Sequence, residues 1–275
     1  MARAERIPRQ SRGLSMREEK GMAPIGWLFV AAMPNSGTTA LARLLETAPA
    51  AATIGPRGEG FWLVPELAAF ERRWDPETPA DFERAAATWR EAAAFLAPRP
   101  QVILEKSPPN LCRMRAILAA FQDEPARLVR YVRDPLAICA AWSRRYAHTL
   151  VERWQPGAYC EIATQRDYFT ALGRICGLRF QMLRDLANVA ELTLRYEDFA
   201  ADPATGVRKL AALYPALGEA DPHAAVAVKD YPPGAFANFN AAQTALLDKA
   251  QIAWTLEGLA PFGDACAAFG YDVYD

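Results

Sequence analysis

The chain has 275 residues, 52% of them hydrophobic, and a formal net charge of −1 from 31 Lys and Arg against 32 Asp and Glu. A chain of this length can bury roughly 75% of its unfolded surface, enough for one α/β domain or two small ones. The balanced charge lacks the basic excess of a nucleic-acid-binding protein, while a local basic pocket for a small polyanion stays open.

The five cysteines (Cys112, Cys139, Cys160, Cys176 and Cys266) include no CxxC pair and read as free thiols of a reducing compartment. The two histidines, His148 and His223, have no partner at ligand spacing, which argues against a zinc site and against a histidine-based triad. Residues 1–24 (MARAERIPRQSRGLSMREEKGMAP) are basic and polar without the apolar core of a signal peptide, so a disordered tail is expected ahead of a domain over 25–275. No run of about 18 apolar residues could span a bilayer, and a cytoplasmic location is expected.

Residues 27–32 (WLFVAA) form a continuous apolar run, the pattern of a strand buried on both faces of a parallel sheet. A polar stretch follows at 34–39, and Thr38 or Thr39 opens a helix to about Thr47, with Pro49 as its stop. Gly55, Gly58 and Gly60 mark 52–64 as a loop, and 80–97 reads as an amphipathic helix ended by Pro98 and Pro100. QVILE at 101–105 is a strand that runs into the turn Lys106-Ser107-Pro108-Pro109-Asn110, with Asn110 as cap of a helix over 111–121. RLVRYV at 127–132 is the next strand, and Asp134-Pro135 begins a helix with proline in its first turn. A long helix is expected over 162–187 and a last strand over 190–196, after which Glu197-Asp198 and Asp202-Pro203 start helices running to about Leu213. Residues 215–240, rich in proline and glycine, read as irregular, and helices over about 241–252 and 257–269 end the chain. This alternation predicts an α/β fold, a single three-layer domain with a mostly parallel central sheet that binds ligands beyond the carboxyl ends of its strands.

The stretch Pro34-Asn35-Ser36-Gly37-Thr38-Thr39 lies between the first strand and the first helix. The first N–H groups of a helix have no internal partners and the helix dipole favours negative charge, so this turn is an anion site to which the Ser and Thr hydroxyls add donors. A nucleoside triphosphatase loop reads GxxxxGK[ST]. The same frame here puts Ala32 at the first glycine and Thr38 at the lysine, and no strand ends in an obvious magnesium-binding Asp. A P-loop kinase is therefore disfavoured.

PNSGTTAL resembles the 5′-phosphosulfate loop of the sulfotransferases, P-[KR]-[SAT]-G-T-[TS]. Three further pieces fall in the family order. VRYVRDPLAICAAWSRRY, 129–146, is similar to the family's 3′-phosphate segment; LTLRYEDFAADPATGVRKLAALY, 192–214, is similar to its RYEDL strand and helix; FGYD, 269–272, resembles the terminal pattern of many bacterial members. The resemblance runs from about residue 26 to the end, thins over 145–190 and 215–255, and is closest in flavour to the tyrosylprotein-type and bacterial enzymes. It implies a P-loop-like sulfotransferase fold and transfer of a sulfuryl group from 3′-phosphoadenosine 5′-phosphosulfate (PAPS) to a hydroxyl or amine, with PAP as product and no metal.

The resemblance also implies roles. Asn35, Ser36, Gly37, Thr38 and Thr39 would hold the 5′-phosphosulfate, and Arg133 the 3′-phosphate, for which its planar fork suits it. Arg145 would join it there, as an arginine does in the tyrosylprotein branch, and Tyr196 would stand near the adenine and 3′-phosphate. Where the family often has a serine, eight residues after Arg133, this chain has Ala141; Ser143 is a weak substitute, rotated about 200° away on a helix. In the tyrosylprotein and heparan branches the general base is a glutamate a little over twenty residues after the loop's cation, and Glu59 stands 24 residues after Asn35. Glu66 is the fallback. Lys106, in a turn similar to the tyrosylprotein [DE]-K-[SD]-P, would act on the transferred sulfuryl group, while Glu105 before it is expected in a structural ion pair. Arg57 and Trp62 are possible acceptor contacts, and 146–170, rich in Tyr and Trp, is expected to cover the acceptor pocket. The acceptor class stays open between a small molecule, a peptide and a sugar, and the oligomeric state is not read from the sequence.

Asn35 and Ala141 each delete a familiar ligand contact, which keeps open a second reading: a sulfotransferase-like protein that binds PAP without turnover. Exchanging a charge-assisted contact for the neutral Asn35 loses on the order of 1 kcal/mol or more in a dry site, with Lys106 or Arg57 expected to compensate. Asn35→Lys is accordingly expected to raise PAP affinity or transfer rate, checked by titration calorimetry and by sulfate transfer; no change in either would mean that the loop works differently or that the protein only binds.

Overall fold

A computed structural model of the protein describes residues 24–69, 73–147, 162–228 and 231–273. Residues 1–23, which carry nearly all of the expected tail, and 148–161, the middle of the segment expected over the acceptor pocket, lie outside the described residues.

Five strands form a wholly parallel sheet: β1 (Gly26–Ala31), β2 (Ala51–Thr53), β3 (Val102–Glu105), β4 (Ala126–Val132) and β5 (Leu192–Arg195), in the order β2-β3-β1-β4-β5. The period-2 alternation of β1 sends Trp27, Phe29 and Ala31 into one core and Leu28 and Val30 into the other, which is why its apolar run has no polar break.

Among the described residues the helices are α1 (Thr38–Leu45), α2 (Pro65–Ala68), α3 (Phe82–Ala94), α4 (Met114–Ala120), α5 (Pro135–Ser143), α6 (Gln165–Asp185), α7 (Tyr196–Ala201), α8 (Pro203–Ala211), α9 (Asn240–Thr244), α10 (Lys249–Leu259) and α11 (Gly263–Ala267). Helices α1, α7 and α8 cover one face through Leu41, Leu44, Leu45, Phe199, Val207 and Leu210. Helices α3 to α6 cover the other, with Trp89, Met114, Ile117, Ile138, Trp142 and Phe180 among the buried side chains. β1 sits at the centre with β3 on one side and β4 on the other, so the winding direction reverses at its carboxyl end, where open α/β sheets place their ligands.

The expected elements are present, with four corrections. The loop over 52–64 begins as the edge strand β2, registered from Ala51↔Val102 to Thr53↔Leu104, which is too short and too alanine-rich to show a pattern. Asn110 caps no helix: Pro108–Arg113 is a 3₁₀ turn, α4 starts only at Met114, and the Asn110 amide is drawn instead to a buried carboxylate. The irregular segment contains an antiparallel pair, β6 (Val226–Val228) and β7 (Tyr231–Gly234). The two terminal helices are displaced, because a capping box of Asp248 and Gln251 starts α10 at Lys249, and Pro261 breaks the chain into a short 3₁₀ turn before α11.

Helices α6 and α10 cross backbone to backbone. A Cβ on Gly173 would lie 2.1 Å from the Thr255 carbonyl oxygen, and one on Gly258 2.1 Å from that of Thr170. Either position substituted by Ala forces the helices apart, so Gly173→Ala and Gly258→Ala are each expected to lower stability by about 2–3 kcal/mol, read as a shift of the urea midpoint at constant slope.

Candidate active site

The loop after β1 is held in a left-handed conformation twice, at Asn35 (φ 63°) and at Gly37 (φ 91°). Asn tolerates this geometry, and Gly37 admits no side chain because a Cβ would stand 2.8 Å from the Tyr196 ring. The Trp142 indole N–H donates to the Pro34 carbonyl (3.0 Å) and Arg133 Nη1 to the Asn35 carbonyl (2.8 Å), fixing the loop from the β4–α5 side. No side chain caps α1. Ser36 is fully buried and its Oγ has no hydrogen-bond partner among the described residues, while Thr38 is buried and Thr39 half-buried beside it.

Each of the other four strands also delivers an expected residue at its carboxyl end. Glu59 follows β2, Lys106 follows β3, Arg133 follows β4 and Tyr196 follows β5. Lys106 Nζ lies 3.1 Å from Glu59 Oε1 and 3.5 Å from Thr39 Oγ1, the outer limit of hydrogen-bond reach. The Trp62 indole donates to Glu59 Oε2 at 3.1 Å. Lys106 is almost wholly buried (side chain 3% exposed) whereas Glu59 keeps 19%, so the pair places a desolvated cation behind a carboxylate that still meets solvent. Arg57 is exposed on a 3₁₀ turn at φ 59°. Glu66 starts α2 and faces Arg84 at 3.8 Å, away from this pair.

Glu105 was expected in an ion pair; among the described residues it has no ion-pair partner. Its carboxylate is fully buried and collects donors: Gly60 N–H (3.0 Å), Ser107 N–H (3.2 Å to each oxygen), the Asn110 amide (2.9 Å) and the Ser107 hydroxyl. The Gly60 carbonyl accepts from the Trp89 indole at 2.8 Å. Residues adjacent to Glu59 and to Lys106 are thereby tied to one carboxyl group.

On the other side of the loop opens a cleft of about 600 Å³ whose lining includes Asn35, Thr39, Arg133, Arg144, Arg145 and Tyr196, closed by the apolar wall of β6, β7 and Phe236. Arg133 is 6% exposed, stacks 4.4 Å over the Tyr196 ring and keeps Nη2 without a hydrogen-bond partner among the described residues. Arg144 and Arg145 are exposed at the end of α5. Sequence reasoning missed Arg144, although the dipeptide Arg144-Arg145 was visible, and missed the wall, for which no local signal existed. Ser143 turns its hydroxyl back to the Ala140 carbonyl (2.9 Å) and does not line the cleft. Among the described residues no group of three or more His, Cys, Asp or Glu could hold a metal ion, and no helix is long and apolar enough to cross a membrane.

This geometry has relatives. A family model described as the sulfotransferase family matches residues 28–216, well over half of the chain, and the chain belongs to that family. A crystal structure of a sulfotransferase from Alicyclobacillus acidocaldarius is 15% identical with a TM-score of 0.51, covering 90% of this chain and 96% of that one. The sulfotransferase STF9 from Mycobacterium avium is 15% identical with a TM-score of 0.53, covering 90% of this chain and 76% of its own. At these identities they show the shared P-loop-like fold. A search of curated protein sequences finds no match.

Burial raises the Glu105 pKa above its ordinary 4.5 more than the hydrogen bonds lower it. The folded chain therefore holds this proton more tightly than the unfolded chain, so the contribution of Glu105 to stability is greatest below pH 4.5 and falls as pH rises through the raised value. Glu105→Gln is expected to flatten that part of the stability–pH curve. Glu105→Ala, which strands buried donors, is expected to lose roughly 3 kcal/mol at low pH and less as pH rises through the raised value, both measured by urea unfolding across pH.

Proposed function

We propose that the protein is a PAPS-dependent sulfotransferase, transferring a sulfuryl group to a hydroxyl or amine acceptor by in-line displacement. The observation that carries the reading is the Glu59–Lys106 pair at 3.1 Å, standing 3.5 Å from Thr39 of the anion loop in a chain of the sulfotransferase family. The donor's chemistry fits the residues present. A buried Ser36 hydroxyl and an uncapped helix start lie together at the loop, and Arg133 holds one buried donor without a partner at the cleft. Bound there, PAPS would supply the sulfuryl group and leave as PAP.

The chain's own groups then have distinct tasks. Backbone N–H groups of 37–39 and the hydroxyls of Ser36, Thr38 and Thr39 hold the 5′-phosphosulfate end, with Asn35 adding a neutral contact. Lys106, desolvated and close to Thr39, supplies the charge that Asn35 lacks and stabilises negative charge on the transferred group. Glu59, steadied by the Trp62 indole, accepts the acceptor's proton from the solvent side. Arg133 and Arg145 hold the 3′-phosphate beside Tyr196, and Arg57 and Trp62 stand where an acceptor approaches Glu59.

PAP is expected to bind, and labelled sulfate to move from PAPS to a hydroxyl acceptor in a panel of phenols, sugars and tyrosyl peptides. Glu59→Gln and Lys106→Met are each expected to lower kcat by about 10²–10⁴-fold, with PAP affinity of Glu59→Gln within a few fold of wild type. PAP binding with no transfer across the panel would favour a non-catalytic binder, and ATP binding without PAP binding would overturn both readings.

A further inference from the structure

Arg133 is not positioned by its own strand alone. Its Nε donates to Asn240 Oδ1 at 2.8 Å, its Nη1 to the Asn35 carbonyl at 2.8 Å, and its plane lies on the Tyr196 ring. Two of its three nitrogens are thus engaged by the protein, and Nη2 is the nitrogen without a partner among the described residues that a ligand would meet. The direction of Nη2 depends on the other two contacts, because a guanidinium is rigid and planar.

The contact with Asn240 is conditional. An asparagine side chain can present either its oxygen or its NH₂ to a neighbour, and NH₂ facing the Arg133 N–H would push the guanidinium away. Glu197 decides between the two. Its Oε1 accepts from Asn240 Nδ2 at 2.6 Å, and a carboxylate accepts only, so the Asn240 oxygen must face Arg133. Glu197 is itself pinned by donors: the Asp134 N–H on Oε1 (2.8 Å) and, on Oε2, the Tyr271 hydroxyl (2.8 Å), with Arg195 Nε at 3.9 Å. A relay therefore runs from Tyr271, in the terminal FGYD, through Glu197 and Asn240 to Arg133 and the loop carbonyl of Asn35. Tyr196 closes it from the other side, its hydroxyl donating to the Ala237 carbonyl (2.6 Å) and accepting from the Phe239 N–H (3.0 Å).

We infer that Glu197 and Asn240 are positioning residues for Arg133 and that, through them, this chain sets its preference for a nucleotide carrying a 3′-phosphate. The inference rests on the reading of the cleft as a PAPS site. Neither residue needs to touch the nucleotide. Their effect is to aim one donor, and it is felt most by the 3′-phosphate and less by the 5′ end, which the backbone N–H groups and hydroxyls of the loop hold.

The test compares PAP with AMP, which lacks the 3′-phosphate, by titration calorimetry on the full chain, with thermal melts to confirm folding. Wild type is expected to prefer PAP. Asn240→Ala and Glu197→Ala are each expected to reduce the PAP-to-AMP affinity ratio by about tenfold while AMP affinity moves less than about threefold. Glu197→Gln is expected to retain most of the ratio, because its amide oxygen still accepts from Asn240 and Asp134 and the Tyr271 hydroxyl can turn to accept. Asn240→Ala, a truncation in a half-buried short helix, serves where Glu197→Ala fails to fold. An equal loss of PAP and AMP affinity would show a merely structural role and overturn the inference, as would an unchanged ratio in both alanine variants. A wild type that binds AMP as tightly as PAP would overturn the reading of the cleft itself, and the inference with it.

Discussion

A carboxyl group with no exposed surface must be surrounded by donors or be expelled, since burying it unpaired costs several kcal/mol. Glu105 meets that demand with groups from two different loops, and the geometry at the candidate site follows. Gly60 is drawn in from the β2 side and Ser107 from the β3 side. Their neighbours Glu59 and Lys106, 47 residues apart in sequence, end 3.1 Å apart. The loop after β1 then needs only to lie between β3 and β4 to bring Thr39 to the same point, and the strand order β2-β3-β1-β4-β5 places it there.

Much of this was legible in the chain because it is written locally. WLFVAA, QVILE and RLVRYV are apolar runs of strand length, and Asp134-Pro135 marks a helix start. The loop 34–39 stood out as a polar turn between a strand and a helix, and the resemblance to the sulfotransferases pointed from it to Glu59. What stayed hidden depends on partners far away in sequence. Asn110 reads as a cap until a buried carboxylate five residues earlier claims its amide. Glu105 reads as half of an ion pair because a charge in sequence suggests a countercharge, whereas its partners are neutral N–H and O–H groups. Asn240 and Arg133 are 107 residues apart, and nothing in either segment points to the other.

The distribution of charge around the loop is a division of labour. The position at which the family motif carries a cation is Asn35, and the loop's backbone is held by a cation from another element, Arg133, through the Asn35 carbonyl. A second cation, Lys106 from a third element, lies 3.5 Å from the Thr39 hydroxyl. A site assembled this way relies on the rigidity of the sheet edge more than on the chemistry of a single motif.

The parallel order of the sheet also governs how the chain reaches this state. β1 pairs with β3 from Gly26↔Val102 and with β4 from Trp27↔Ala126, so this apolar strand has no sheet partner on either side until the segment at Val102 has been made. During synthesis the segment WLFVA must remain without its sheet neighbours while α1, β2 and α3 emerge, and closure is a long-range event of the kind that folds slowly and exposes apolar surface on the way. The strand that seats the loop 34–39 is therefore also a stretch of the nascent chain that stays apolar and unpaired until distant segments arrive.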